Sequence, residues 1–321
     1  MLKLCCYSNI GALMANSRDI RDRIASIKNT QKITRAMKMV AAAKVKKSEL
    51  QAKANRPFSF ELGKMFYRIL SSVGEYTTQG LKTQIAIDNY PKLLEKRETK
   101  TVGLLLISSN KGLAGAYNAN LVKYCANLIK KYTEENINVK LIVVGQKGLN
   151  GLKPVQRKYN FEIIKSYTNL PQNPNSSFAT ILAEDLADLY LANDIDKIQI
   201  VTTRFKNMMS YNTEDWTILP LEVDKEKISE NKNIDTQMEF EPNAQSILQK
   251  LVPMFLTNTI LQALFEANAS ELASRMTAMS AATDNAGKMI QNLSIEYNKA
   301  RQAAITNELS EIVAGADALN N

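Results

Sequence analysis

The chain has 321 residues, 45% hydrophobic and 23% charged, enough to bury one large core or two modest ones. It contains no histidine, which excludes the commonest general base, the commonest metal ligand and every Ser-His or Cys-His nucleophile pair. A formal charge of +9 directs the search for partners toward acidic surfaces, and no uncharged apolar run is long enough to span a bilayer.

Residues 1–13, MLKLCCYSNIGAL, carry no arginine and are too short for a targeting signal, so they are set outside the fold as an extended N-terminus. Met14 opens MANSRDIRDRI, which reads as the natural start. Residues 14–72 read as one coiled-coil helix, with Asn16 or Ser17 as N-cap and Asp19 in the first turn. Ile20, Ile24 and Ile27 keep 3–4 spacing, and Met37, Ala41, Val45 and Ser48 continue a narrow stripe. Pro57 is expected to bend this helix, and SSVGEYTTQG to end it.

A linker over 73–99 precedes a change of period. TVGLLLISS is an apolar run of strand length, followed by the glycine turn NKGLAGAYN, the amphipathic LVKYCANLIKKY and a second run, VKLIVVG. That order is a βαβ unit. FEIIKSY, FATILAEDLADLYLAN and KIQIVTTRF extend it to a Rossmann-like α/β domain over 100–221, closed by an acidic loop over 222–242. Residues 243–319 read as a second coiled-coil helix, interrupted near its start by Pro253 and about 110 Å long at 1.5 Å per residue. Its seven-residue rows are Ala286–Leu293–Ala300 and Met289–Glu296–Ala303, with Ile290, Tyr297 and Ala304 beside them. The fold class is therefore α/β: a long antiparallel coiled coil of the terminal helices plus a Rossmann-like globular domain.

Few residues carry chemistry. The three cysteines, Cys5, Cys6 and Cys125, have no metal-site spacing, and Cys125 reads as a core thiol. In SSNKGLAGAYN, Gly112 and Gly115 fit neither the dinucleotide fingerprint nor the P-loop, and Lys111 precedes the turn, so a tight turn with close helix–sheet packing is favoured over phosphate binding. The acidic pairs Glu134–Glu135 and Glu184–Asp185 read as solvated helix surface. No catalytic, cofactor-binding or metal residue emerges. Between Arg23 and Ser48, eight basic residues (Arg23, Lys28, Lys32, Arg35, Lys38, Lys44, Lys46 and Lys47) stand without one acidic residue. Like charges at i,i+3 and i,i+4 weaken an isolated helix, so a compensating acidic surface is expected.

RDIRDRIASIKNTQKITRAMKMVAAAKVKK resembles the N-terminal helix of F-type ATP synthase gamma subunits. ASELASRMTAMSAATDNAGKMIQNLSIEYNKARQAAITNELSEIVAGADAL is similar to their C-terminal helix, and LISSNKGLAGAYN to the first turn of their globular domain. The resemblance spans residues 14–319 in the family's order. It implies a non-catalytic rotor shaft without a cofactor, inside a head of three alpha and three beta subunits, bound to the epsilon subunit and the membrane c-ring. It implies no nucleic-acid partner and no direct insertion into the membrane. The expected location is peripheral, on the cytoplasmic face of a bacterial inner membrane, with an organellar inner or thylakoid membrane as the alternative. Arg35, Met37, Lys38 and Lys44 would meet the acidic lever loop of beta, with Arg275 near that level. Gln302 and Thr306 would meet a beta loop further up, and Ile312, Val313 and Ala314 would turn in a hydrophobic sleeve. The insert found in the globular domain of plant and cyanobacterial members has no counterpart in RFKNMMSYNTEDWTILPLEV. Two other classes compete. A Rossmann-type nucleotide-binding enzyme with helical oligomerisation arms needs a dinucleotide site and a proton-transfer group. A coiled-coil nucleic-acid binder needs base-reading motifs.

Overall fold

The computed structural model describes residues 4–73, 93, 97–171, 173–220 and 244–319. The chain divides into two compact units, residues Met1–Val40 with Met276–Asn321, and residues Ala41–Arg275. The acidic loop expected over 222–242 and most of the linker lie outside the described residues.

The two longest elements are the helices α1, Leu4–Val73, and α5, Ala244–Leu319. Between them run β1 (Thr101–Ile107), α2 (Tyr117–Glu134), β2 (Asn138–Val144), α3 (Gln146–Gln156), β3 (Glu162–Tyr167), α4 (Ser176–Leu191), β4 (Lys197–Asn207) and β5 (Ser210–Leu219). The backbone of α1 is helical from Leu4, so Asn16 and Ser17 are interior positions of the helix and not its first residues. The one glycine before them, Gly11, weakens a helix without ending it. Pro253 does not interrupt α5 either. Its neighbours Leu251 and Val252 are buried, and that packing offsets the hydrogen bond a proline removes.

In the first unit the inward residues of α1 are Ile20, Ile24, Ile27, Gln31, Thr34 and Lys38, spaced alternately by four and three. On α5 they are Met276, Met279, Thr283, Ala286, Ile290, Leu293, Tyr297, Ala300 and Ala304. These are the a and d positions of an antiparallel coiled coil. Gln31 Nε2 donates to Thr283 O at 3.3 Å, the Thr34 and Thr283 hydroxyls lie 2.9 Å apart, and Lys38 Nζ donates to Ser280 Oγ at 2.8 Å. Lys38, not Met37, holds the heptad position. The row Met289–Glu296–Ala303 faces solvent instead of the seam. The pattern of sevens fixes a period, but only packing decides which of several parallel rows is inside.

The second unit is a five-stranded sheet of order β3-β2-β1-β4-β5, parallel except for the β4–β5 hairpin. One face carries α2 and α3 over Leu104, Leu106, Leu141 and Val143. The other carries α4 and the adjoining stretches of α1 and α5 over Leu105, Ile107, Ile142 and Ile200, with Phe66 stacked on Phe255 at 5.0 Å. Asn175 caps α4 by accepting from Phe178 N at 2.9 Å, and Asn136 and Asn193 take the left-handed conformation after α2 and α4. Cys125 is fully buried, and burial pushes its thiol up to about 12, as a core thiol requires. Asp185 departs from the expected solvated acid: it accepts from Tyr167 and pairs with Lys165 at 2.7 Å, tying α4 to the edge strand. The elements not anticipated, α3 and β5, are those with weak local signals. The first contains two glycines and a proline, and the second reads as a loop until paired with β4.

Where α1, α5 and β4 meet, Glu266 is only 2% exposed. Its carboxylate accepts from Arg56 Nε at 2.7 Å, Arg56 Nη2 at 2.9 Å, Gln262 Nε2 at 2.7 Å and the Phe205 amide at 2.9 Å. Arg56 Nη2 also donates to Phe205 O at 2.9 Å. Beside it, Asn55 donates to Asn258 and Gln262. Replacing Arg56 by Met is expected to destabilise the second unit by roughly 2–4 kcal/mol, below the value for a wholly buried pair because the arginine is partly exposed. The urea midpoint of the variant, followed by the fluorescence of Trp216, measures this.

Candidate functional site

Of the eight basic residues between Arg23 and Ser48, all but the half-buried Lys38 are exposed, and none of the eight takes part in an ion pair among the described residues. In the first unit Arg35 points to solvent, Met37 is half-buried beside the seam and Lys38 is engaged with Ser280. Gln302 and Thr306 are exposed, one helical turn apart. Ile312 and Val313 are 68% and 60% exposed, with Ala314 beside them. An uncompensated cationic face and an apolar helix end are both surfaces that require a partner: the first repels itself, and the second leaves apolar area in water.

The second unit holds Lys44 and Arg275, which line one cavity at the C-terminal ends of β1 and β2. In doubly wound sheets a ligand lies outside the strand ends where the strand order reverses, here between β1 and β4. That crevice is filled by α5. The Tyr117 hydroxyl donates to Ala267 O at 3.1 Å, Ser274 Oγ to Ala114 O at 2.7 Å, and Arg275 Nη2 to Gly112 O at 3.2 Å. The turn thus offers carbonyl oxygens to α5, the opposite of what a pyrophosphate needs. Gly115 has a φ of 54°, as a tight turn demands, but Gly112 is not the close approach. That role falls to Gly148, where a Cβ would lie 2.4 Å from Ser108 Oγ. Among the described residues no group of three or more His, Cys, Asp or Glu could hold a metal ion.

One residue at this cavity, Glu271, escapes a reading by motif. Glu271 is 7% exposed and paired with Arg275 one turn on, and Lys111 sits on the turn. The i,i+4 spacing of Glu271 and Arg275 was the available signal. Burial holds the Glu271 carboxyl above its usual range, outweighing the opposing pull of Arg275, Lys111 and Lys44. A carboxyl raised in the folded state contributes stability that is present below its unfolded pKa and lost as pH rises through the folded one. The stability of the native chain relative to Glu271→Gln should therefore fall as pH rises from about 4.5. Urea titrations of both proteins across that range test the sign.

The family model described as ATP synthase matches residues 16–319. The ATP synthase gamma chain of Gloeothece citriformis is 40% identical over 329 positions, covering 95% of this chain and all of that one. That of Halothermothrix orenii is 42% identical over 306 positions with the same coverage. The longer alignment means that the Gloeothece chain holds residues without a counterpart here. Among solved structures, the central stalk and c-ring of the Tetrahymena thermophila mitochondrial ATP synthase matches 78% of this chain and 99% of that one, at 26% identity and a TM-score of 0.56. A chain of the Euglena gracilis mitochondrial ATP synthase shares the fold over 95% of both, at 21% identity and a TM-score of 0.65. With these matches running through both long helices and the sheet between them, the chain belongs to the ATP synthase gamma chain family.

Proposed function

We propose that this chain is the central rotor shaft of an F-type ATP synthase, coupling ion-driven rotation of the membrane c-ring to the conformational cycle of catalytic beta subunits. The observation that carries the reading is 40% identity, along 95% of the chain, to proteins named ATP synthase gamma chain. The antiparallel seam supports it, because small residues such as Ala286, Ala300 and Ala304 bring two helices close enough to act as one stiff member. No helix among the described residues is long and apolar enough to cross a membrane. A shaft of this kind is peripheral, and we place it on the cytoplasmic face of a bacterial inner membrane.

The shaft takes no part in the bond chemistry. It acts by touching three beta subunits differently, and it biases each one's equilibrium only by its differential contact energy. Arg35, Met37, Lys38, Lys44 and Arg275 serve as the face toward the acidic lever loop, and Gln302 and Thr306 contact a second loop. Ile312, Val313 and Ala314 are the bearing, where non-directional apolar contact permits rotation that directional bonds would arrest. Exposed ion pairs contribute about 0–1 kcal/mol each, so torque is shared and no single lysine is essential. The partners are three alpha and three beta subunits, an epsilon subunit and the c-ring.

Native mass spectrometry of the complex that co-purifies with the chain tests the assignment: one copy with three alpha and three beta subunits is expected, and a homodimer would refute it. Reversing Lys44, Lys46 and Lys47 to Glu should impair ATP-driven ion pumping without unfolding the protein; unchanged pumping would remove the basic face from the mechanism. Deleting the residues after Glu311 should weaken retention of the shaft in the head more than it lowers torque. Complete loss of rotation in an intact complex would contradict the bearing role.

A further inference from the structure

Where α5 closes the strand ends of the second unit it leaves a cavity of about 220 Å³. Ile107 and Val144, the last residues of β1 and β2, form its floor together with Leu170, Phe178 and Leu264. Its charged lining is three cations, Lys44, Lys111 and Arg275, against one carboxylate, Glu271. Arg275 is committed to Glu271 and to the Gly112 carbonyl. Lys44 and Lys111 make no ion pair among the described residues, so the chamber carries two uncompensated positive charges beside an apolar floor. Low-dielectric walls strengthen such a field and concentrate anions within it.

We propose that this cavity binds a small organic anion, of the monophosphate or carboxylate class, with its charged group between Lys44 and Lys111 and its apolar body on the floor. Three properties select that class. Two unpaired ammonium groups repel a cation and gain nothing from a neutral ligand. The apolar floor favours a ligand with a carbon body, because burying that surface is favourable in proportion to its area. The volume lies below the roughly 300–1,000 Å³ of pockets that take drug-sized ligands or cofactors, so a whole nucleotide does not fit but one ring and one charged group do. The site draws its residues from α1, α5 and the turn after β1, so an occupant would link all three. The inference uses the second unit alone; Lys44 and Arg275 also stand in the proposed lever-loop face, so binding is measured on the free chain, where no loop competes for them.

The test is a calorimetric and saturation-transfer NMR titration of the full chain with phenyl phosphate, alongside phenylacetate, inorganic phosphate and ATP. Saturable binding of phenyl phosphate, weaker at high salt and weaker for inorganic phosphate, is expected. Phenylacetate separates the two sources of charge: tighter binding of the phosphate assigns the doubly charged group, and tighter binding of phenylacetate the carboxylate. Lys44→Gln and Lys111→Gln alter exposed, unpaired side chains, and each should weaken binding about tenfold with an unchanged circular-dichroism spectrum. Leu170→Trp, which fills the floor, should abolish it. Absence of saturable binding, or binding indifferent to all three substitutions, would overturn the proposal. Equal binding of inorganic phosphate would overturn the organic class, and tighter binding of ATP would overturn the size limit.

Discussion

A carboxylate sealed from water sets the alignment of α1, α5 and the sheet in the second unit. Glu266 is surrounded by four donors from three elements, and each holds the others in register. The seam around it is built of small or apolar heptad residues, Ala41, Val45 and Ala52 among them, which on their own would tolerate a slip of one heptad. A slip would separate Glu266 from Arg56 and from the Phe205 amide and leave a buried charge without partners, at a cost of several kcal/mol. Apolar packing supplies the driving force for pairing, and the ionic cluster selects one alignment. The neighbouring amides of Asn55, Asn258 and Gln262 add directional bonds of the same kind.

The first unit applies the same division with weaker terms. Its seam is apolar at Ile20, Ile24 and Ile27 on α1 and turns polar at Gln31, Thr34 and Lys38, opposite Ser280 and Thr283. Each such bond is worth about 1 kcal/mol net. The polar layer therefore fixes register without adding much stability. Gly287, whose Cβ would lie 3.2 Å from Gln31 Nε2, marks how closely the two backbones run there. Small side chains and short polar bonds fit two helices that must stay together while their outer faces remain free for partners.

The globular domain shows how little a fold commits a protein to chemistry. Its parallel strands follow the order of a dinucleotide-binding domain, with a glycine-containing turn after β1 that lacks the dinucleotide fingerprint, and the position of the cofactor is taken by a helix of the same chain. Tyr117, Ser274 and Arg275 stitch that helix to the turn. Nothing in SSNKGLAGAYN announces this, because the occupying residues lie about 150 positions further on.

By itself the sequence determined what local rules govern. The 3–4 spacing of Ile20, Ile24 and Ile27 gave the helix, the run TVGLLLI gave a buried parallel strand, and the lack of histidine removed most catalytic schemes. These depend on side-chain period and residue chemistry, which are properties of a window of chain. The tertiary structure decided the rest. It placed Lys38 in the seam and Met289 outside it, made a helix of QKGLNGLKPVQ despite its glycines and proline, and formed β5 only by pairing with β4. It also gathered Lys44, Lys111, Glu271 and Arg275 around one cavity. Each of these outcomes depends on which surfaces meet and how far they exclude water, and that is a property of residues distant in sequence.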